Sequence, residues 1–121
     1  MPRKPFGPAA HCGIDYALVA YQALGPTLFG LTGPARAIAY GFAATTGVVN
    51  ALTDQPYAVK REVPFRVHGV LDYLFVPGLV ALPWLAGALV KRNERAYFLP
   101  FVAAAGLHVL LTDYGARPNR G

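Results

Sequence analysis

The stretch HCGIDY at residues 11–16 decides the fold, because it returns later in the chain as HGVLDY at residues 68–73. Extended without gaps, residues 11–30 match residues 68–87 at 7 of 20 positions. A chain that repeats itself over this length is built from two copies of one structural unit. The repeat therefore sets the architecture before any single residue is interpreted.

The second part of each copy recurs as well. Residues 35–54 match residues 94–113 at 8 of 20 positions, and the offset between the copies changes only from 57 to 59 residues. No long linker divides the chain. The sequence therefore predicts a single domain, residues 1–121, in which repeat 1 covers about 11–54 and repeat 2 about 68–113.

The composition is that of a membrane protein. Hydrophobic residues make up 55% of the 121 residues and charged residues 14%, against about 25% charged residues in a typical soluble domain. Four runs contain no Asp, Glu, Lys or Arg and are 17–20 residues long, which is about the length that a membrane-spanning helix requires. The runs are 16–35, 37–53, 73–90 and 96–112.

Glycine, proline and charged residues separate these runs into helices. We predict an all-α fold of four transmembrane helices, built from two tandem helical hairpins and placed near 12–32, 35–54, 65–90 and 94–113. A soluble four-helix bundle would carry a charged face on each helix, and these runs have none. Pro26 and Pro83 fall inside helices 1 and 3, where each is expected to produce a kink.

Basic residues indicate the orientation. Seven of the 11 Lys and Arg residues lie on the side that holds both ends of the chain and the connection between helices 2 and 3, and four lie on the other side. Because Lys and Arg in short loops favour the cytoplasm, we expect both termini there, in a bacterial inner membrane. The net charge of +5 is explained by these flanks, and no aromatic-lined basic patch indicates nucleic acid.

Seven His and Asp side chains are the candidate functional residues. Helices 1 and 3 begin on the side of the membrane where helices 2 and 4 end, so the topology brings all seven to one face. They are His11, Asp15, Asp54, His68, Asp72, His108 and Asp113.

Counting depth along the helices predicts how these side chains pair in the second repeat. His68 is expected to meet Asp113 at the rim. Asp72 is expected to meet His108 about one turn deeper, since each residue adds about 1.5 Å.

The first repeat keeps only part of this pattern. His11 is expected to pair with Asp54, but Val49 stands at the position that matches His108. Asn50 is then the nearest polar partner for Asp15. The lone cysteine, Cys12, excludes an internal disulfide and a CxxC motif.

Three interpretations of this cluster remain open. The first is a structural clamp, in which each contact satisfies a polar group that is costly to leave unpaired near lipid. The second is a metal or haem site formed by His and carboxylate ligands. The third is a proton or ion path. We favour the clamp because it explains the duplication, and we expect no cofactor and no metal.

One segment carries a family resemblance. Leu82-Pro83-Trp84 resembles the Ser-Pro-Trp signature of the SPW-repeat family of small bacterial membrane proteins, in which each repeat is a helical hairpin. Gly25-Pro26-Thr27 keeps the Pro at the equivalent place in repeat 1. The resemblance implies a four-helix integral membrane protein and implies no activity.

These observations favour a non-enzymatic function. No nucleophile–base–acid arrangement and no Gly-rich phosphate loop is present in the sequence, so we expect the chain not to be an enzyme. We expect a scaffold or accessory subunit that contacts the lipid bilayer and other membrane protein subunits. The alternative is a transporter or a haem- or metal-binding redox membrane protein that uses the His and Asp cluster.

Overall fold

The structure, a computed structural model, describes residues 4–121 and contains four α-helices in that range. The helices are α1 (Pro8–Leu28), α2 (Gly33–Leu52), α3 (Phe65–Leu85) and α4 (Arg92–Leu110). Among residues 4–121, extended pairing is limited to two isolated bridges. The prediction of an all-α fold with four helices is confirmed.

Helices α1 and α3 end on the same motif. Gly30 and Gly87 have positive φ angles of 64° and 71°, a backbone region that glycine enters without the steric cost of a Cβ. The Leu31 N–H donates to the Pro26 carbonyl at 2.9 Å, and the equivalent bond in α3 ends on the Pro83 carbonyl at 2.7 Å. This is a Schellman motif. Both prolines therefore lie in the last turn of their helices and not midway, where we expected a kink.

The observed helix ends differ from the predicted ends in a way that affects the site. Helix α1 begins at Pro8, whose missing N–H suits the first turn, and so His11 lies within the helix, near its start. Helices α2 and α4 end at Leu52 and Leu110. The segments that follow them are therefore free to leave the helix axis.

Two short parallel bridges connect the repeats to each other. Phe6, just before α1, pairs with Thr112, which follows α4, and Val63, just before α3, pairs with Thr53, which follows α2. Phe6 and Val63 are 57 residues apart, and Thr53 and Thr112 are 59 apart, which are the two offsets of the sequence repeat. The segment that enters each repeat thus holds the segment that leaves the other repeat.

The apolar core occupies the end of the bundle away from the histidines. Small residues of α2 at every fourth position, Ala35, Ala39 and Ala43, are buried and let neighbouring backbones approach closely. One cluster of buried side chains comprises Leu31, Ala35, Ala39, Ala88, Tyr97 and Phe98. A second cluster, nearer the middle of the bundle, comprises Leu79, Phe101 and Ala105.

Among the described helices, one is long and apolar enough to cross a membrane by length and composition, and it is α3. Helix α1 carries His11, Asp15 and Gln22, α2 is rich in alanine and glycine, and α4 has three charged residues in its first turn. Four transmembrane helices are therefore not supported by hydropathy, although all four predicted helices form.

Candidate metal centre

Helices α1 and α3 each present a histidine and an aspartate near the start of the helix. His11 and Asp15 lie on α1, and His68 and Asp72 lie on α3. Residues i and i+4 are neighbours on the surface of a helix. Both imidazoles are buried, at 0% and 2% exposure, whereas the carboxylate side chains keep 14% and 15% of their surface exposed. The repeat thus provides two equivalent His–Asp pairs.

The four side chains converge on one point. The Nε2 atom of His11 lies 3.1 Å from Asp15 Oδ2 and 3.0 Å from Asp72 Oδ2. The Nε2 atom of His68 lies 2.9 Å and 3.2 Å from the same two oxygens. The two Nε2 atoms are 3.3 Å apart. One donor atom from each residue therefore lies within 4.8 Å of the other three.

These separations match the edges of a coordination tetrahedron. When metal–ligand bonds measure about 2.0–2.1 Å, as for zinc with imidazole and carboxylate ligands, the ligand atoms lie about 3.3 Å apart. Five of the six separations run from 2.9 to 3.3 Å, and the sixth, between the two carboxylate oxygens, is within 4.8 Å. A divalent ion at the centre would need only small movements of the side chains.

Two threonines hold the imidazoles in place. Thr112 Oγ1 lies 2.6 Å from His11 Nδ1, and Thr53 Oγ1 lies 2.7 Å from His68 Nδ1. Each hydroxyl also donates its single hydrogen to the backbone carbonyl four residues earlier, at 2.7 Å for Thr112 and 2.6 Å for Thr53. Because that hydrogen is already used, each threonine oxygen must accept from the imidazole.

This arrangement decides which imidazole nitrogen carries the hydrogen. Nδ1 is the donor in both rings, so in a neutral ring the lone pair is on Nε2. Both Nε2 atoms face the centre of the cluster, where the carboxylate oxygens also direct lone pairs. A metal-binding histidine typically has this second hydrogen bond, which fixes the tautomer and the ring orientation.

The two carboxylates differ in their outer partners. His108 Nε2 lies 3.1 Å from Asp15 Oδ1, and its ring stacks on His11 at a centroid distance of 4.0 Å. The Tyr114 hydroxyl donates to Asp72 Oδ2 at 2.7 Å. Burial, followed by the charge of Asp72, raises the pKa of Tyr114, so the phenol stays protonated as a donor. The two His–Asp pairs are therefore equivalent in the repeat but have different neighbouring side chains.

Five of the seven predicted site residues come together, and two do not. Asp54 pairs with Arg61 at 3.2 Å, and Asp113 pairs with Arg120 at 3.0 Å. Both aspartates lie beyond the ends of α2 and α4. Their partners are basic residues of the same connecting segment, so neither carboxylate reaches the histidines.

The predicted pairings are therefore wrong in detail. His68 contacts Asp15 and Asp72 in place of Asp113. His108 contacts Asp15 and not Asp72.

The pairing predicted for repeat 1 is also wrong. His11 contacts the same two central aspartates as His68 and not Asp54. Asn50 donates to the Cys12 carbonyl at 2.9 Å and does not contact Asp15. The seven residues form one central cluster and two peripheral ion pairs, not a series of separate clamps.

Three residues of the site were missed in the sequence. Thr53 and Thr112 belong to the Leu-Thr-Asp element that occurs at the end of both repeats. Their repetition is a usable signal, whereas the pairings expected from the sequence involve the aspartate that follows each threonine. Tyr114 has no such signal, because Gln55 occupies the equivalent place in repeat 1.

Comparison with known proteins adds no relative. No family model matches the chain, and no curated protein or solved structure matches it either. The geometry of the cluster is thus the basis for a functional proposal.

Proposed function

We propose that this chain is an integral membrane protein that binds one divalent transition-metal ion at the centre of its helical bundle. The ligands are His11 and Asp15 from α1 and His68 and Asp72 from α3. The observation that carries the proposal is the set of five donor–donor separations of 2.9–3.3 Å around one point. The proposal departs from the expectation of no metal that was made from the sequence.

Charge balance supports the proposal. Two carboxylates in a poorly solvated site are costly unless positive charge compensates them. A divalent ion supplies two positive charges and accepts all four lone pairs at once. The rival state protonates both imidazoles, which also balances the charge. That state places two cationic N–H groups 3.3 Å apart, an unfavourable contact that the metal removes.

The donor set favours zinc. Two imidazole nitrogens and two carboxylate oxygens in a tetrahedral arrangement are typical zinc ligands, and other first-row divalent ions bind the same donors in the order of their intrinsic affinity. Four protein ligands also complete the coordination of a structural zinc ion, whereas catalytic sites usually have three. This agrees with a non-enzymatic role.

A haem is a poorer fit than a bare ion. Two axial imidazoles would lie on opposite sides of the iron, with their nitrogens about 4 Å apart for bonds of about 2.0 Å. The two Nε2 atoms are 3.3 Å apart, and the carboxylates lie against both of them. The donors are arranged around a point and not around a plane.

The membrane part of the proposal rests on helix length and surface. The helices contain 21, 20, 21 and 19 residues, which at about 1.5 Å per residue gives roughly 28–32 Å, close to the hydrocarbon core of about 30 Å. Each helix also exposes large apolar side chains; they include Leu24, Leu28, Val48, Val70, Leu74, Trp84, Leu85, Leu107 and Leu110. We therefore propose four spans.

The rest of the membrane proposal follows from the basic residues. The α2–α3 connection, the segment before α1 and the segment after α4 lie on the cytoplasmic side of a bacterial inner membrane, because they carry most of the Lys and Arg residues. Within the membrane the chain would act as a small scaffold or accessory subunit. The metal ion would join α1 to α3, and hence one repeat to the other.

Metal analysis of the protein purified in mild detergent tests the proposal. We expect one zinc ion per chain, or one cobalt ion after exchange, and no haem absorption band. His11→Ala and His68→Ala should each lose the ion. His108→Ala is the matched control, since its Nε2 contacts Asp15 Oδ1 and not the centre, and it should keep the ion. Metal-free wild-type protein that stays folded, or equal binding by all three variants, would refute the site.

A further inference from the structure

A cavity of about 40 Å³ adjoins the cluster on the side of its two carboxylates. Asp15, Asp72 and His108 lie at one end of its lining, and Gln22 and Thr46 contribute polar groups elsewhere. The remaining walls are apolar and come from α1, α3 and α4; they comprise Leu18, Phe75, Val76, Leu79, Phe101, Ala105 and Val109. A water molecule needs at least about 10–15 Å³ of such volume, so the cavity holds a few water-sized groups.

The exposure of the four ligands shows which side of the cluster is open. His11 and His68 are closed off at 0% and 2% exposure, while Asp15 and Asp72 keep 14% and 15%. Both carboxylates line the cavity, and neither imidazole does. A molecule that approaches the centre of the cluster must therefore come from the cavity.

His108 is a suitable group to receive such a molecule. It lines the cavity, and its Nε2 is occupied by Asp15. Its Nδ1 is buried and has no hydrogen-bond partner among the residues that the structure describes. A buried nitrogen without a partner is costly. Because Nε2 donates to the Asp15 carboxylate, Nδ1 of the neutral ring is an acceptor, and a ligand with a hydrogen, such as water, would satisfy it.

We propose that the cavity is a binding chamber for a small Lewis-basic ligand, of the size of water, hydroxide or azide, that adds to the metal as a fifth donor. This inference rests on the proposed metal site and extends it. The ligand donates one lone pair to the ion, no bond to the protein is broken, and the coordination number rises from four to five, an expansion that zinc sites allow.

The experiment uses the cobalt-loaded protein, because the visible absorption of Co²⁺ weakens when a fifth ligand joins a tetrahedral site. Sodium azide is titrated into the wild-type protein and into Ala105→Leu, whose larger side chain enters the cavity. Ala103→Leu is the matched control, since Ala103 lies on the same helix with its side chain exposed. Val76→Phe fills the same cavity from α3 and replaces Ala105→Leu if that variant does not fold.

We expect azide to weaken the cobalt absorption of the wild-type protein and of Ala103→Leu, and to leave the cavity-filled variant unchanged although it still binds one cobalt ion per chain. Wild-type protein that binds cobalt but does not respond to azide overturns the chamber and leaves the metal site intact. A cavity-filled variant that responds like wild type overturns it too. A chain that binds no cobalt refutes the metal site itself.

Discussion

His11 on α1 and His68 on α3 direct their Nε2 atoms at each other across a gap of 3.3 Å, and each ring is held from behind by a threonine of the opposite repeat. The two histidines are 57 residues apart and equivalent in the sequence repeat. If both rings were neutral, the lone pairs of the two Nε2 atoms would face and repel each other. A positive charge at the centre is therefore required. The four predictions below follow from this centre and from the helices around it.

The threonine contacts predict an effect on metal affinity. Thr53→Val and Thr112→Val remove the acceptor of the His68 and His11 Nδ1–H groups, and each should weaken metal binding by about 10–100-fold, the usual cost of losing such an outer partner. The two effects should be similar in size because the contacts are equivalent. Competition with a coloured zinc chelator measures the affinity.

A third threonine provides the control for that prediction. Thr45 donates the same kind of hydrogen bond to the carbonyl four residues earlier, at 2.8 Å, but its side chain is exposed and contacts no histidine. Thr45→Val should therefore leave the affinity unchanged, and Thr53→Ser should retain it. Equal losses in all three valine variants would show that the effect is a general one on helix stability.

The aspartates should divide into two classes. Asp15→Asn and Asp72→Asn remove a charged ligand from the centre and should abolish stoichiometric metal binding. Asp54→Asn and Asp113→Asn should leave it intact, since those carboxylates pair with Arg61 and Arg120 outside the cluster. Asp54→Asn should cost no more than about 1 kcal/mol, since its ion pair with Arg61 is largely exposed.

Elemental analysis of the four purified aspartate variants measures how much metal each one retains. Loss of metal in Asp113→Asn, with its fold retained, would mean that the rim pairing expected from the sequence was right after all. Retention of metal in both Asp15→Asn and Asp72→Asn would exclude them as ligands.

Gly25 should not tolerate a side chain. A Cβ placed there would overlap the ring of Tyr97, which is buried in the core. Gly25→Ala should therefore destabilise the protein by about 1–3 kcal/mol, the usual range for overpacking. Gly41→Ala is the control, because a Cβ on that α2 residue meets nothing within 4 Å. Thermal unfolding in detergent compares the two, and an equal loss in Gly41→Ala would contradict the packing argument.

The proposed topology predicts which positions can be labelled from outside the cell. Lys60→Cys lies in the α2–α3 connection and Arg92→Cys at the start of α4, on opposite sides of four membrane spans. A membrane-impermeant maleimide added to intact cells should label Arg92→Cys and not Lys60→Cys, and cell lysis should expose both. The native Cys12 is buried and should stay unlabelled. Labelling of both positions in intact cells, or recovery of the chain in the soluble fraction, would contradict the four spans.

The ends of α1 and α3 could be predicted only in part from the local sequence. Gly30 and Gly87 were visible as repeated residues, and their positive φ angles end α1 and α3, because only glycine enters that backbone region cheaply. Pro26 lies in the last turn of α1, where its carbonyl accepts the closing hydrogen bond, and not in the helix interior that the sequence predicted. The error came from placing the helix end four residues too late.

Counting residues along the helices could not predict which His and Asp side chains pair. Depth along a helix places Asp113 level with His68 only if α4 continues to that residue, but α4 ends at Leu110 and the following segment turns away to form the Asp113–Arg120 ion pair. Counting also ignores the rotation of each helix about its own axis. That rotation decides that His108 contacts Asp15 and not Asp72.

The sequence by itself determined the repeat, the four helices and the two His–Asp pairs, because each depends on the period of an α-helix and on residues close together in the chain. Only the tertiary structure decided that the pairs meet at one point and that each histidine takes its threonine from the other repeat. Those contacts span 101 and 15 residues. They depend on how the entry segment of each repeat pairs with the exit of the other, which local periodicity does not encode.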